Sequence, residues 1–131
     1  MKILTFKTNK EELLDITSEI STIIRQSKIS NGICHIYVPH TTCGLAINEN
    51  ADPDVKTDIL GELREMVNEK YPYRHAEGNS TAHIKSTLTG NSLTVFIENN
   101  SIKLGTWQGI FLCEFDGPRT RNIWIKILKE D

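Results

Sequence analysis

Three segments in the last third of the chain alternate between apolar and polar residues, and they constrain the fold more than any other feature of the sequence. They cover residues 92–98, 109–116 and 122–128. Alternation with a period of two residues predicts β-strands with one buried face. Strands occur in runs with helices inserted between them, and there is no regular βαβ alternation. The pattern therefore predicts an antiparallel α+β fold.

Two further strands and three helices are predicted earlier in the chain. The strands cover residues 2–8 and 33–38, and the helices cover about 16–31, 53–68 and 80–88. The second helix has the clearest boundaries, because Asp52 can cap it and Pro53 suits its first position. Its predicted buried stripe consists of Val55, Ile59, Leu63, Met66 and Val67. Residues 69–80 have no apolar period and are predicted to form a loop.

Length and composition indicate one ordinary globular domain over residues 1–131. The chain is 38% hydrophobic and 24% charged, with a net charge of −2, which argues against bulk nucleic-acid binding. It has no apolar run long enough to span a membrane and no signal-peptide pattern. The three cysteines have no CxxC spacing, which predicts reduced thiols and a cytoplasmic location.

The histidines are the first candidates for chemistry, since imidazole is the commonest metal ligand and titrates near neutral pH. His83 is predicted in the first turn of the third helix, where the dipole favours the neutral ring that binds metals. His75 precedes it across a glycine-containing loop, and His40 follows a strand that ends at Pro39. The spacing of the histidines along the chain fits two interpretations equally well: a metal or catalytic site, and ordinary surface or hydrogen-bonded histidines. Cys43 is either a fourth ligand or a buried thiol.

Two carboxylates lie in irregular segments near these histidines, and they are acid–base candidates. They are Glu49 and Glu77. Arg119 and Arg121 follow a Gly–Pro turn after Glu114 and Asp116, and either an ion pair at the turn or anion binding explains them. Hydroxyls at Thr41 and Ser80 stand at a strand end and a helix start, where phosphate can bind.

One aromatic residue is flanked by glycines. Trp107 and the adjacent Gln108 suit a flat heterocycle, although a buried tryptophan near a bulge is the commoner outcome. The chain lacks the sequence motifs of dinucleotide-binding, P-loop, serine-hydrolase, zincin and zinc-ribbon proteins.

Six ordered blocks of residues resemble the YjbQ family, also called the secondary thiamine-phosphate synthase family. The blocks are PHTT at 39–42, NENADP at 48–53, HAEGN at 75–79, AHIK at 82–85, LGTWQG at 104–109 and EFDGPR at 114–119. The resemblance covers nearly the whole chain. It implies an antiparallel β-sandwich with flanking helices, a homotrimer, and a site where subunits meet.

The resemblance also implies roles for individual residues. His40, His75 and His83 would bind a divalent metal, either zinc or magnesium, with Glu49, Glu77 and Arg119 as catalytic residues. The expected substrate-binding residues are Thr41, Asn79, Lys85, Trp107 and Gln108. The implied reaction joins hydroxymethylpyrimidine diphosphate to thiazole phosphate and releases pyrophosphate. Two alternatives remain: a metal-dependent hydrolase of a small phosphorylated or cyclic substrate, and a non-enzymatic trimer that binds a metal or metabolite.

Overall fold

The strands form two antiparallel sheets in the computed structural model, which describes residues 1–131. The strands are β1 (Lys2–Lys7), β2 (Glu12–Asp15), β3 (Gly32–Tyr37), β4 (Cys43–Glu49), β5 (Ser92–Glu98), β6 (Ser101–Lys103), β7 (Gln108–Glu114) and β8 (Thr120–Lys129). One sheet has five strands in the order β1-β8-β3-β5-β6, and the other has three in the order β2-β7-β4. The predicted α+β fold with an antiparallel sandwich is confirmed.

The main core lies between the two sheets and includes one face of the first helix, α1 (Thr17–Ser27). Ile20 and Ile24 of this helix are fully buried, as the apolar stripe in the sequence predicts. The Asp15 carboxylate accepts a hydrogen bond of 3.0 Å from the backbone N–H of Thr17, which fixes the helix start. The helix ends earlier than predicted, because Lys28 adopts a left-handed conformation with φ of 58°.

The other two helices, α2 (Pro53–Met66) and α3 (Ser80–Thr89), cover the outer face of the three-stranded sheet. A second apolar cluster joins them to it and contains Leu13, Ala82, Phe111, Cys113 and Phe115, with Ile59, Leu60 and Leu63 partly buried against it. Asp52 caps α2 and Pro53 begins it, as predicted. Of the predicted stripe, Val67, directly after the helix, is buried at 4% exposure, while Val55, Ile59 and Leu63 are only half-buried. Met66 is 62% exposed, so its predicted burial was wrong.

Three strands are absent from the sequence prediction, namely β2, β4 and β6. β4 is the important one, because it is buried on both faces near its start and so lacks a clear alternation of polar and apolar residues. β2 and β6 have only 4 and 3 residues, too few for a periodic pattern.

The register between β4 and β7 divides the three-stranded sheet into two ends. Cys43 pairs with Glu114 at one end, and Glu49 pairs with Gln108 at the other. Six residue steps separate the ends, which corresponds to roughly 20 Å of strand. α3 packs directly on the first end, where a Cβ on Gly44 would lie 2.1 Å from the Thr89 hydroxyl. None of the three helices is long and apolar enough to cross a membrane.

Candidate functional site

A cavity of about 400 Å³ opens where β4 begins and β7 ends, and it is called the histidine cavity here. Its walls are Pro39, His40, Thr41, Thr42, His75, Glu77, Asn79, His83, Arg119 and Arg121. Seven residues named from the sequence thus meet in one place: the three histidines, Thr41, Glu77, Asn79 and Arg119. No hydrophobic residue lines the cavity, so its preferred ligand is polar.

Four segments of the chain deliver these side chains. The connection between β3 and β4 carries His40 to Thr42, because Pro39 ends the strand ladder. The loop before α3 carries His75, and α3 itself carries His83 in its first turn. The turn between β7 and β8 carries Arg119 and continues into the start of β8, which carries Arg121. The site is therefore assembled from connections that the antiparallel sheets bring to one edge.

His75 and His83 are in direct contact. Their ring centroids lie 5.3 Å apart and their planes meet at 87°, an edge-to-face arrangement. His75 is exposed and His83 is half-buried. Two imidazoles at this distance can exchange a proton with the same bound ligand, either directly or through one water.

His40 has one ring nitrogen already engaged. Its Nε2 accepts a hydrogen bond of 2.9 Å from the backbone N–H of Asn122. Burial, followed by the positive charge of Arg121, lowers the pKa of His40 below its ordinary value. In the neutral ring with Nε2 as acceptor, Nδ1 carries the proton and is a hydrogen-bond donor. His40 is therefore arranged to donate to a ligand.

The cavity floor contains a buried ion pair that joins the two sheets. Arg121 donates from Nε to Glu114 Oε1 at 2.7 Å and from Nη2 to Oε2 at 2.5 Å. Glu114 also accepts from the Thr8 hydroxyl at 2.6 Å and from the Asp116 N–H at 3.0 Å. Burial alone would raise the pKa of Glu114, but these hydrogen bonds outweigh it and lower the pKa.

Arg121 keeps part of its guanidinium available. Its Nη2 also donates to the Thr42 hydroxyl at 2.8 Å, while Nη1 has no hydrogen bond within the protein. The side chain is only 4% exposed, and it lines the histidine cavity. A buried cation with an open donor is suited to hold an anionic ligand.

Arg119 is more exposed and pairs with Asp116. Its Nε donates to the Asp116 carbonyl at 2.8 Å, and its Nη2 donates to the Asp116 carboxylate at 2.9 Å. The ion pair at the turn, one of the two alternatives open from the sequence, is therefore present. Arg119 also lines the cavity, and its Nη1 has no hydrogen bond within the protein, so this nitrogen is left to donate to a ligand.

Asn79 has the only buried polar side-chain atom without a partner. Its Nδ2 donates to the Asp116 carboxylate at 2.7 Å and to Glu77 at 3.2 Å, so its orientation is fixed. Its Oδ1 accepts nothing. Asn79 precedes α3, but its side chain makes no capping hydrogen bond to that helix. An unused buried acceptor beside a cavity calls for a donor from a ligand or a water.

The metal prediction was compared with the donor atoms of the cavity. No group of three or more His, Cys, Asp or Glu side chains is arranged to hold a metal ion. The Nε2 lone pair of His40 is used by Asn122, which leaves His75, His83 and Glu77 as the nearest donors. These residues do not form a metal ligand set in this arrangement. Zinc or magnesium binding stays a prediction.

Four predicted residues lie away from the histidine cavity. Glu49, Trp107 and Gln108 are at the opposite end of the β4–β7 ladder, roughly 20 Å along the strands. Trp107 is 64% exposed, and the Gln108 side chain accepts from the Gly105 N–H. Lys85 points into a different cavity and pairs with Glu11 at 3.1 Å. Within one chain, none of the four contributes to this site.

Cys43 is buried near the site, but it does not line the cavity. Burial raises the pKa of its thiol to about 11, which favours the buried-thiol alternative over the ligand alternative. Arg121 was missing from the predicted site, although the sequence placed it beside Glu114 and Asp116. The alternation of β8 could have located it, because Arg121 stands two residues before Ile123 and therefore lies on the same buried face of the strand.

Comparison with known proteins identifies the family of this chain and agrees with its fold. The family model described as UPF0047 protein YjbQ-like matches residues 2–130. The chain belongs to this family. A UPF0047 protein of Methanocaldococcus jannaschii is 55% identical over 93% of this chain and 89% of its own length. The UPF0047 protein YugU of Bacillus subtilis is 49% identical over 98% of both chains.

Solved structures of YjbQ-like proteins have the same fold. A YjbQ/UPF0047 family protein of Clostridium acetobutylicum matches with a TM-score of 0.95 and 46% identity, covering 98% of this chain and 100% of its own. A protein of Sulfolobus solfataricus, described as YjbQ-like and of unknown function, matches with a TM-score of 0.93 and 34% identity, covering 98% and 96%. The family resemblance found in the sequence is confirmed, and it gives no reaction by itself.

Proposed function

We propose that the protein is an enzyme that acts on a small phosphorylated metabolite bound in the histidine cavity. The observation that carries this proposal is that two arginines and three histidines line one polar cavity. Guanidinium groups match phosphate oxygens in geometry and charge. Arg121 offers Nη1 and Arg119 offers the edge that Asp116 leaves free.

The histidines supply proton transfer in this proposal. His40 donates from Nδ1 to a phosphate oxygen, since its Nε2 is held by Asn122. His75 and His83 act as the acid–base pair, because their rings are in contact. Unlike His40, whose Nε2 is engaged by Asn122, neither ring has a nitrogen that is hydrogen-bonded within the protein. Glu77 orients Asn79 through a 3.2 Å hydrogen bond, so the Asn79 acceptor faces the ligand.

Thiamine-phosphate synthesis is the first reaction to test, on the basis of the family resemblance. In that reaction the thiazole nitrogen forms a bond to the pyrimidine methylene carbon, and the bond from this carbon to the diphosphate oxygen breaks. Negative charge then builds on pyrophosphate. Arg119 and Arg121 would stabilise it, as preorganised cations do at a charge-developing site.

A phosphate-ester hydrolase is the second candidate, and one observation favours it. The histidine cavity has no apolar wall, and Trp107 lies roughly 20 Å away along the strands of the same chain. A heterocyclic substrate would find imidazole rings but no apolar stacking surface within one chain. A polar phosphate ester needs none, and His75 or His83 can activate a water for it.

The experiment supplies purified protein with both phosphorylated thiamine precursors and, separately, with a panel of phosphate esters, each with magnesium or zinc. Arg119→Ala should reduce turnover about 10²- to 10³-fold. Arg25→Ala is the matched control, since Arg25 is an exposed arginine on α1 that bonds to Ser21. Undiminished turnover by folded Arg119→Ala protein would restrict this arginine to its pair with Asp116.

The metal prediction has its own measurement. Elemental analysis of the purified protein and of the His75→Ala and His83→Ala variants should show bound zinc or magnesium only in the unmodified chain. Equal metal content in all three would contradict histidine ligation. A protein that binds phosphate esters without turning any over, and loses that binding in His83→Ala, would support the non-enzymatic alternative.

A further inference from the structure

We propose that a second cavity, on the other face of α3, binds the anionic group of a small organic molecule. This cavity, called the lysine cavity here, has a volume of about 480 Å³ and lies between α3, α2 and the segment before β2. Lys10, Glu11, Arg64, Thr81, Lys85 and Phe115 carry the argument. It shares no lining residue with the histidine cavity, so this proposal does not depend on the proposed function.

Lys85 is the central observation, because a buried ammonium group with few partners is costly. The residue is 2% exposed, and its Nζ makes a single hydrogen bond, of 3.1 Å, to Glu11. An ammonium group has three donors. The Phe115 ring lies 5.9 Å from Nζ and gives a weak cation–π contact. Two donors therefore remain for something in the cavity.

Thr81 places a second polar group beside Lys85. The two residues are four positions apart on α3, so they share one helix face. Thr81 is 9% exposed, lines the same cavity, and its hydroxyl makes no hydrogen bond within the protein. A hydroxyl and an ammonium side by side are the donor set that a phosphate or carboxylate oxygen accepts from.

The charges around the cavity are not balanced. Three cations line it, Lys10, Arg64 and Lys85, against two carboxylates, Glu11 and Glu69. Glu11 is shared, because it accepts from Arg64 at 2.8 Å as well as from Lys85. One carboxylate therefore serves two cations, and Lys10 has no ion pair. A bound oxyanion would complete the neutralisation.

The volume indicates that the anion is part of a larger molecule. Small-molecule sites occupy about 300–1,000 Å³, and this cavity falls within that range. Phe115, which is 7% exposed, provides one apolar wall next to Lys85. The ligand class is thus an organic phosphate or carboxylate whose body packs against that ring.

The test titrates the full chain with inorganic phosphate and with phenyl phosphate by isothermal calorimetry. Phenyl phosphate should bind more tightly than inorganic phosphate. Lys85→Met should weaken the phenyl phosphate site at least about tenfold, since hydrogen bonds from a charged group are stronger than neutral ones. Lys103→Met is the matched control, because Lys103 is 57% exposed, pairs with Glu98 on the five-stranded sheet and lines neither the lysine cavity nor the histidine cavity. It should leave the Lys85-dependent binding unchanged.

Two further variants decide the matter if Lys85→Met does not fold. Arg64→Gln changes a side chain that is 57% exposed, and it should weaken phenyl phosphate binding severalfold. Glu11→Gln removes the competing carboxylate and should strengthen binding. If Arg64→Gln and Glu11→Gln alter only thermal stability, the cluster is a structural ion-pair network and the proposal fails. Equal affinity for the two phosphates would refute an organic ligand.

Discussion

Arg119 and Arg121 lie two residues apart and line the same cavity, yet their ion pairs differ in burial. The pair of Arg121 with Glu114 is 4% and 0% exposed, whereas the pair of Arg119 with Asp116 is 47% and 26% exposed. Removing one member of a buried pair leaves an uncompensated charge, while an exposed pair contributes little. Both arginines line the cavity, but only the pair of Arg121 with Glu114 is buried enough to contribute strongly to stability.

We expect Arg121→Ala to lower the free energy of unfolding by about 3–5 kcal/mol, because Glu114 would remain buried without its partner. Arg119→Ala should cost less than about 1 kcal/mol. Urea denaturation of both variants measures the difference. Equal losses would show that the Arg121–Glu114 pair is no more important to stability than the exposed pair.

Glu114 should also govern part of the acid stability. Hydrogen bonds from Arg121 and Thr8 hold its pKa in the folded state below the value of the unfolded chain, about 4.3. A depressed carboxyl pKa gives stability that is present above the unfolded value and is lost as pH falls through the folded value. Melting temperatures of Glu114→Gln should be lower at pH 7 but fall less steeply below about pH 4.5. A slope equal to that of the unmodified protein would contradict this.

At the scale of secondary structure elements, the sequence predicted those elements that have one buried face. β5 has the predicted bounds, and β8 covers the predicted residues and extends further at both ends. β8 was predictable because its inward residues Ile123 and Ile125 alternate with outward ones. β4 was not predicted, since its first residues are buried on both faces. That omission matters for function, because the β4–β7 register sets which predicted residues share an end of the sheet. Spacing along a chain does not contain this register.

The helices provide a matched stability test. Ile20 of α1 is fully buried in the main core, whereas Leu63 of α2 is only partly buried against the smaller cluster. Ile20→Ala should cost about 2–5 kcal/mol, the usual range for a buried aliphatic residue. Leu63→Ala should cost less than Ile20→Ala, since less apolar surface is returned to water. Chemical denaturation compares them, and a larger loss for Leu63→Ala would mean that α2 is covered in the assembled protein.

Within the folded chain, the residues of the predicted site are divided between two ends of the three-stranded sheet. The three histidines and Arg119 meet in one cavity, whereas Glu49 and Trp107 lie at the far end of the sheet. The resemblance that named these residues together also implied a site where subunits meet. A neighbouring copy is the simplest way for both ends to serve one ligand, so assembly decides whether the second group belongs to the site.

The outer face of the five-stranded sheet is the surface that we expect to form the assembly. Five large apolar side chains on it are 37–66% exposed: Ile3, Tyr37, Phe96, Trp124 and Leu128. Tyr37 and Trp124 stack with centroids 5.5 Å apart. No helix covers this face, whereas α2 and α3 cover the outer face of the other sheet. Contiguous exposed apolar surface of this kind marks interaction sites in soluble proteins.

We predict a homotrimer, on the family resemblance, with this sheet face as its interface. Light scattering should give three times the chain mass of 14.9 kDa at micromolar concentration. Trp124→Glu should shift the mass to that of a monomer, because it would bury a charge at the interface. The control is Tyr71→Glu, since Tyr71 is 60% exposed and lies in the loop between α2 and α3, away from the sheet. A trimer that persists in Trp124→Glu would place the interface elsewhere, and a monomer for the unmodified protein would refute a site shared between subunits.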